Sequence, residues 1–384
     1  MYNLIRIFKC VYHTTSILAV VSAILLTGCN GSNAYNSESF SLETQTQFQN
    51  ILEEKRAETG AAGAVLLVRD DEGHQWTGSV GIAQSSTPRI VPDSGGKYHW
   101  EGTPLDENLI FRVGSVTKMF TAALILRLVD KDLLTLEDTV DQWIPGAVHN
   151  SDIITVRQLL HHRSGVAEFS AAPGFSEEQT WTPEELLALV TGSDPQFFPD
   201  EYFRYTNTNY LLLGMIAERV TGQTYENLVQ TELLDVLGLE HTYVPTTSYF
   251  PEAHAYGYEQ QTDNAFVEVT GFQPTAPWAA GAMISDMFDL ATWVEALFKG
   301  LLLNPDTQEQ LVDFLPMSNS DAWCGLGVIK LSDGRQGHSG SIQGFYSQAW
   351  RVNGYTVVSL SNSRMALDTT DKICAAVVEV VKSL

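Results

Sequence analysis

The hydrophobic period of the chain changes along its length, and the order of those changes restricts the fold more than any single motif. Strand-like runs come early, Ala64 to Val68 and Gln75 to Ala83, with Asp71-Glu72-Gly73 as the turn between them. From Asp138 to about Leu237 the pattern is mostly helical, broken at Pro145, Pro173, Pro183 and Pro199. Alternation returns at Trp350-Arg351-Val352-Asn353-Gly354-Tyr355-Thr356-Val357-Val358, where Asn-Gly between β-prone runs predicts a hairpin. Ile373, Val377, Val380, Val381 and Leu384 then mark an amphipathic last helix. Strands at both ends, helices between them and no βαβ alternation predict an α/β fold of the α+β type. In it, an antiparallel sheet flanked by helices carries an inserted, mostly helical region. Its α/β part is expected at about 48–114 and 275–384, and the helical part at about 115–274.

The 384 residues, 44% hydrophobic and 18% charged, suffice for a sizeable core. A formal charge of −24 argues against nucleic acid as a partner, since phosphate binding needs basic patches. Residues 1–28 stand apart from the fold. Arg6 and Lys9 precede the apolar run Ile17 to Leu26, which suits a signal peptide and is short for a membrane span. The run ends in Leu26-Thr27-Gly28-Cys29, which resembles a bacterial lipoprotein signal; that resemblance makes Cys29 a lipidated N-terminus. The protein is then expected to be exported and membrane-anchored through Cys29, facing the periplasm or the cell exterior, and monomeric. Residues 29–47 are polar and read as a tether. Cys324 and Cys374 remain, and the sequence leaves open whether they pair. No Cys/His spacing reads as a zinc site, and no cofactor is called for.

Ahead of the helical region stands Arg112-Val113-Gly114-Ser115-Val116-Thr117-Lys118. Lys118, Ala122, Ile125 and Val129 recur at helical spacing, so Ser115 and Lys118 share a face one turn apart. A serine at a helix start is commonly a cap. A lysine carried onto an apolar face is different: desolvation lowers its pKa and frees the amine to act as a base, which a serine nucleophile needs.

Two later clusters extend this motif: Tyr205-Thr206-Asn207 just before a helix from Tyr210 to Thr221, and Gly337-His338-Ser339-Gly340-Ser341 just before a glycine-punctuated strand. With Ser115-x-x-Lys118, Tyr205-x-Asn207 and His338-Ser339-Gly340 in this order, the chain resembles the penicillin-recognising serine hydrolases, the family of class C β-lactamases and D-alanyl-D-alanine carboxypeptidases. The likeness runs from about residue 50 onward and includes Thr155 to Gly165 and Ala280 to Ser285. It implies a β-lactamase/DD-peptidase-like catalytic domain over 48–384. It also implies an acyl-enzyme on Ser115, proton transfer shared by Lys118 and Tyr205, and backbone N–H groups of Ser115 and Ser341 as the oxyanion hole. Asn207, His338, Ser339 and Gly340 would line the substrate site, with His338 titrating between about pH 5 and 8. Trp278 would be either a cleft wall or a packed core residue. His161 and His162 would serve a loop.

His338 in the third motif points to the carboxypeptidase branch, acting on peptidoglycan stem peptides and binding penicillin. The alternatives are a class C-like β-lactamase, an esterase or a D-aminopeptidase. One departure stands out. Where that branch places a carboxylate-gripping arginine, this chain has Ile329-Lys330, and strand alternation can turn Lys330 away from the cleft.

Overall fold

A computed structural model describes residues 39–318, 320–365 and 367–384. The expected signal segment 1–28, Cys29 and the start of the tether lie outside these residues.

The fold begins earlier than expected. Helix α1 spans Leu42–Thr59, capped by Ser41, whose Oγ accepts the Thr44 N–H at 3.1 Å. Residues 42–47, read as tether from their polarity, form its first turns, because Phe48 and Leu52, four apart, bury one face and leave the polar residues outside.

Among the described residues the main sheet has nine strands: β1 (Gly63–Arg69), β2 (Gln75–Ser85), β3 (Gly102–Pro104), β4 (Leu315–Pro316), β5 (Ala322–Cys324), β6 (Ile329–Leu331), β7 (Gln336–Ile342), β8 (Phe345–Val352) and β9 (Tyr355–Ser361). Their spatial order is β3-β2-β1-β9-β8-β7-β6-β5-β4, and every pairing is antiparallel. The two ends of the chain meet where β1 pairs with β9, Val65 opposite Leu360. The predicted hairpin closes β8 and β9: Val352 pairs with Tyr355, and Asn353 and Gly354 both take positive φ, 48° and 83°, as a two-residue turn between right-twisted strands requires.

Both faces of the sheet are covered. Ala64, Leu66 and Val68 of β1 join Phe48 and Leu52 of α1 and the last helix, which buries Ile373, Val377 and Val381. Val65 and Leu67 point the other way, into the larger core built on helices α2 (Thr117–Asp130), α3 (Asn207–Thr221) and α4 (Met287–Phe298). The last helix, α5, spans Thr369–Val381. Cys324 and Cys374 are both buried and free, so the two do not form a disulfide.

The structure amends the sequence reading at three further places. Tyr258–Gln260, Phe266–Glu268, Arg89–Ile90 and Ser363–Arg364 form a second, four-stranded sheet. Its strands of two or three residues are too short to register as a period, yet Tyr258 and Phe266 anchor them in a core of their own. Pro183 starts a short helix, Pro183–Ala188, at its first position, with Thr182 as cap. Finally, His338, Ser339 and Gly340 lie within β7.

Candidate active site

The Ser115 turn is held between two strands. Arg112 and Phe111 pair with Ile284 and Ser285, and the Val113 N–H donates to Met283 O at 3.0 Å. On the other side β7 comes so close that a Cβ on Gly340 would lie 2.0 Å from Val113 O, while Ser347 Oγ donates to that same carbonyl at 2.7 Å. Gly114 has φ +51°, and a Cβ there would lie 3.0 Å from Ser341 N. The Ser341 amide therefore sits beside the turn that presents Ser115. Gly114–Val116 form a tight single turn that runs directly into α2.

From Thr117 to Leu126, α2 is buried on every side, not only along a stripe. Lys118 is fully buried, and its Nζ lies 3.1 Å from Ser115 Oγ, 2.9 Å from Asn207 Oδ1 and 2.6 Å from Ala280 O. Burial lowers its pKa to about 7, against the opposing field of Glu168. The free amine is therefore accessible near neutral pH.

Glu168 is a residue that sequence reading missed. It accepts the Asn207 backbone N–H and, at 3.5 Å, the Asn207 Nδ2. A carboxylate is an acceptor only, so it fixes the amide with its NH2 toward Glu168 and its oxygen toward Lys118. A lone glutamate 39 residues before Asn207 carries no spacing signal.

Tyr205 Oη donates to Ser115 Oγ at 2.8 Å. Its ring is about a third exposed along the cleft and stacks on His162, centroids 4.4 Å apart. Desolvation of the hydroxyl raises its pKa, so the group is a phenol at neutral pH; its hydrogen bond to Ser115 acts in the opposite direction. Lys118 Nζ lies 4.8 Å from the Tyr205 ring centroid. His162 faces the Thr206 N–H (3.2 Å) and Asn209 Nδ2 (3.3 Å) with Nδ1, and burial holds its pKa well below the usual value. It is a neutral support for the Tyr205 ring. His161 is buried against Cys324 O.

His338 is also buried, one layer behind Tyr205, with ring centroids 6.2 Å apart. Burial and the nearby Lys118 charge push it down to about 4. This corrects the expectation of a titrating histidine: between pH 5 and 8 His338 stays neutral, and Lys118 is the group that changes charge.

A cavity of about 280 Å³ opens above Ser115, with Tyr205, Asn207 and Ser341 in its lining. Ser339 and Gly340 are not in that lining; Gly340 acts by permitting close approach. Trp278 is not a cleft wall either. Its indole N–H donates to Glu226 Oε1 at 3.0 Å and its ring packs near Tyr225, centroids 5.2 Å apart. Trp278 begins the short helix Trp278–Gly281 whose Ala280 carbonyl binds Lys118, so it is joined to the site through the backbone. Phe169, Phe175 and Phe272 supply the aromatic lining instead. Lys330 lies over the Phe314 ring at 5.7 Å and takes no part in the cavity.

Residues 48–378 match the beta-lactamase family. Penicillin-binding protein 4* of Bacillus subtilis is 26% identical over 318 residues, 76% of this chain and 69% of that protein. Among solved structures, a D-stereospecific amidohydrolase from Streptomyces sp. is 33% identical with a TM-score of 0.74, over 86% of this chain and 98% of its own. The D-amino acid amidase of Ochrobactrum anthropi SV3, solved with D-phenylalanine, is 25% identical with a TM-score of 0.78, over 89% and 99%. The sheet, the inserted helices and the match over most of its length agree: this chain belongs to the beta-lactamase family and is a serine hydrolase of that fold.

Proposed function

We propose that the protein hydrolyses amide bonds of D-configured amino acids through an acyl-enzyme on Ser115, as an amidase or peptidase. The observation that carries this reading is the position of Ser115 Oγ between Lys118 Nζ and Tyr205 Oη. In its neutral form, Lys118 keeps Asn207 Oδ1 and Ala280 O as acceptors for its two N–H groups and turns its lone pair to the serine hydroxyl. It takes the Ser115 proton as Oγ attacks the carbonyl. The Ser115 and Ser341 N–H groups receive the oxyanion, each contributing about 3 kcal/mol if they act as such donors do elsewhere. Tyr205, a phenol at neutral pH, protonates the leaving amine, and the Lys118 ammonium offsets the phenolate left behind. In deacylation, water gives its proton to Tyr205 as it attacks the ester, and Lys118 returns its proton to Ser115.

Substrate class rests on two observations. The relatives of known structure include a D-stereospecific amidohydrolase and a D-amino acid amidase. And β6, with Ile329 and Lys330, brings no cation into the cavity to grip a leaving group's terminal carboxylate. Both favour amide or aminopeptidase-type turnover over strict D-alanyl-D-alanine carboxypeptidase activity. The likeness to penicillin-binding protein 4* supports β-lactam acylation as a second reading. Export and lipid anchoring at Cys29, and a monomeric state, complete the proposal.

The test is a set of initial rates on D-phenylalanine amide, L-phenylalanine amide, a D-alanyl-D-alanine peptide and benzylpenicillin. Preference for the D-amide over its L-enantiomer by at least tenfold supports the reading. Faster release of D-alanine from the peptide replaces it with carboxypeptidase, and efficient benzylpenicillin turnover replaces it with β-lactamase.

A further inference from the structure

The cavity extends along β7, and its lining holds two charged side chains, Arg364 and Glu177. Tyr205 and, behind it, His338 mark one end. β7 then runs through Ser341 to Ile342, and beyond it lies the turn Gln343-Gly344. Four residue steps along the strand carry His338 to Ile342, about 13 Å. At this far end the lining includes Ile342, Gln343 and Arg364.

Arg364 comes from the short strand Ser363–Arg364, just after β9, and pairs in register with Glu259 on Tyr258–Gln260. Its Nε alone is held, by both oxygens of Glu259 at 2.8 and 2.9 Å. Glu259 is itself pinned by the Gly344 N–H at 2.9 Å. Guanidinium is planar with five N–H donors. Fixing it through Nε orients the whole fork, while its two terminal NH2 groups have no hydrogen-bond acceptor among the described residues. The side chain is about a third exposed. A held but incompletely used guanidinium, lining a cavity that also contains the nucleophile, is a geometry suited to carboxylate recognition.

Which part of a substrate reaches it follows from the proton path. This step rests on the function proposed above. Tyr205 protonates the leaving amine, so the leaving group lies toward Tyr205 and His338. The acyl portion must then extend along β7 toward Gln343 and Arg364. We infer that Arg364 is a specificity residue for the acyl side of the substrate, selecting acyl groups that carry a free carboxylate. The preferred substrates are therefore D-configured peptide amides with an acidic residue or free carboxyl group in the acyl portion, rather than simple amino acid amides.

A merely structural role is the competing account, since the Arg364 and Glu259 pair joins two strands of the small sheet and Glu259 also holds the turn after β7 through the Gly344 N–H. The two accounts separate in a ratio. The full-length protein is assayed on two esters of equal leaving group, 4-nitrophenyl hydrogen glutarate and 4-nitrophenyl pentanoate, which differ by a terminal carboxylate in place of a methyl. The expected result is a glutarate-to-pentanoate ratio of kcat/KM that falls about tenfold in Arg364→Gln and partly recovers in Arg364→Lys. A structural role lowers both rates together, and an unchanged ratio overturns the inference.

A second measurement does not depend on turnover: saturation-transfer NMR of glutaramate and of pentanamide with the Ser115→Ala protein. Glutaramate binding that weakens in Ser115→Ala/Arg364→Gln supports the inference even if neither ester is hydrolysed, in which case it is the proposed function that fails. Equal binding of the two amides, or no binding of glutaramate, overturns the inference.

Discussion

Replacing Glu168 by glutamine should make the enzyme active at lower pH. Lys118 acts as a base only when neutral, so the acid limb of the rate profile follows its pKa, lowered by burial to about 7. The Glu168 carboxylate opposes that lowering, because it favours the ammonium. One side-chain amide, that of Asn207, separates the two groups. That places the charges about 7 Å apart, and at an effective dielectric of 20 their interaction is about 2.4 kcal/mol, or about 1.7 pH units. Part of this is screened at the half-buried carboxylate, so a shift of about one unit is expected. The substituted amide also gives Asn207 freedom to turn its NH2 toward Lys118, which again disfavours the ammonium, so both effects have the same sign. The assay is kcat/KM on a 4-nitrophenyl ester from pH 5 to 9 for the two proteins. The limb should move from near pH 7 to near pH 6. A limb that stays within about 0.3 unit, or moves to higher pH, would falsify the arrangement in which Glu168 tunes Lys118.

Three further substitutions probe the rest of the site. His338→Gln should leave the acid limb near pH 7, because a histidine with its pKa near 4 carries no charge between pH 5 and 8; a shift of a full unit in that profile contradicts the assignment. Gly340→Ala places a methyl 2.0 Å from Val113 O, and it should cost about 3 kcal/mol in denaturant unfolding together with activity; wild-type stability would mean that β7 and the Ser115 turn are not in close contact. Trp278→Phe should cost about 2 kcal/mol through lost packing and an unpaired Glu226, with KM unchanged; a raised KM at wild-type stability would return Trp278 to the cleft wall.

What could be read from the sequence follows from the length scale of each signal. Ser115 and Lys118 are one helical turn apart, and the Asn353-Gly354 hairpin and α5 repeat their periods several times, so local pattern was enough. His338 was read as a titrating group, but its pKa depends on burial behind Tyr205 and on the Lys118 charge, neither of which is local. Glu168 and Arg364 carry no period at all. They meet the site from segments 39 residues before Asn207 and 105 residues after Glu259, and only tertiary structure brings them in. Trp278 shows the converse: an aromatic residue beside the right segment, Ala280-Gly281, whose side chain points away to Glu226. The second sheet escaped because strands of two or three residues offer too few positions for alternation to show.

The central claim is that Ser115 carries the acyl group, and trapping that group is its most direct test. The full-length protein is quenched in acid during steady-state turnover of a 4-nitrophenyl ester, digested, and mapped by mass spectrometry beside Ser115→Ala. The expected result is one acyl group per chain, located on the peptide containing Ser115 and absent from the variant, with turnover lost in parallel. An acyl group on another residue, or hydrolysis that continues undiminished in Ser115→Ala, contradicts it.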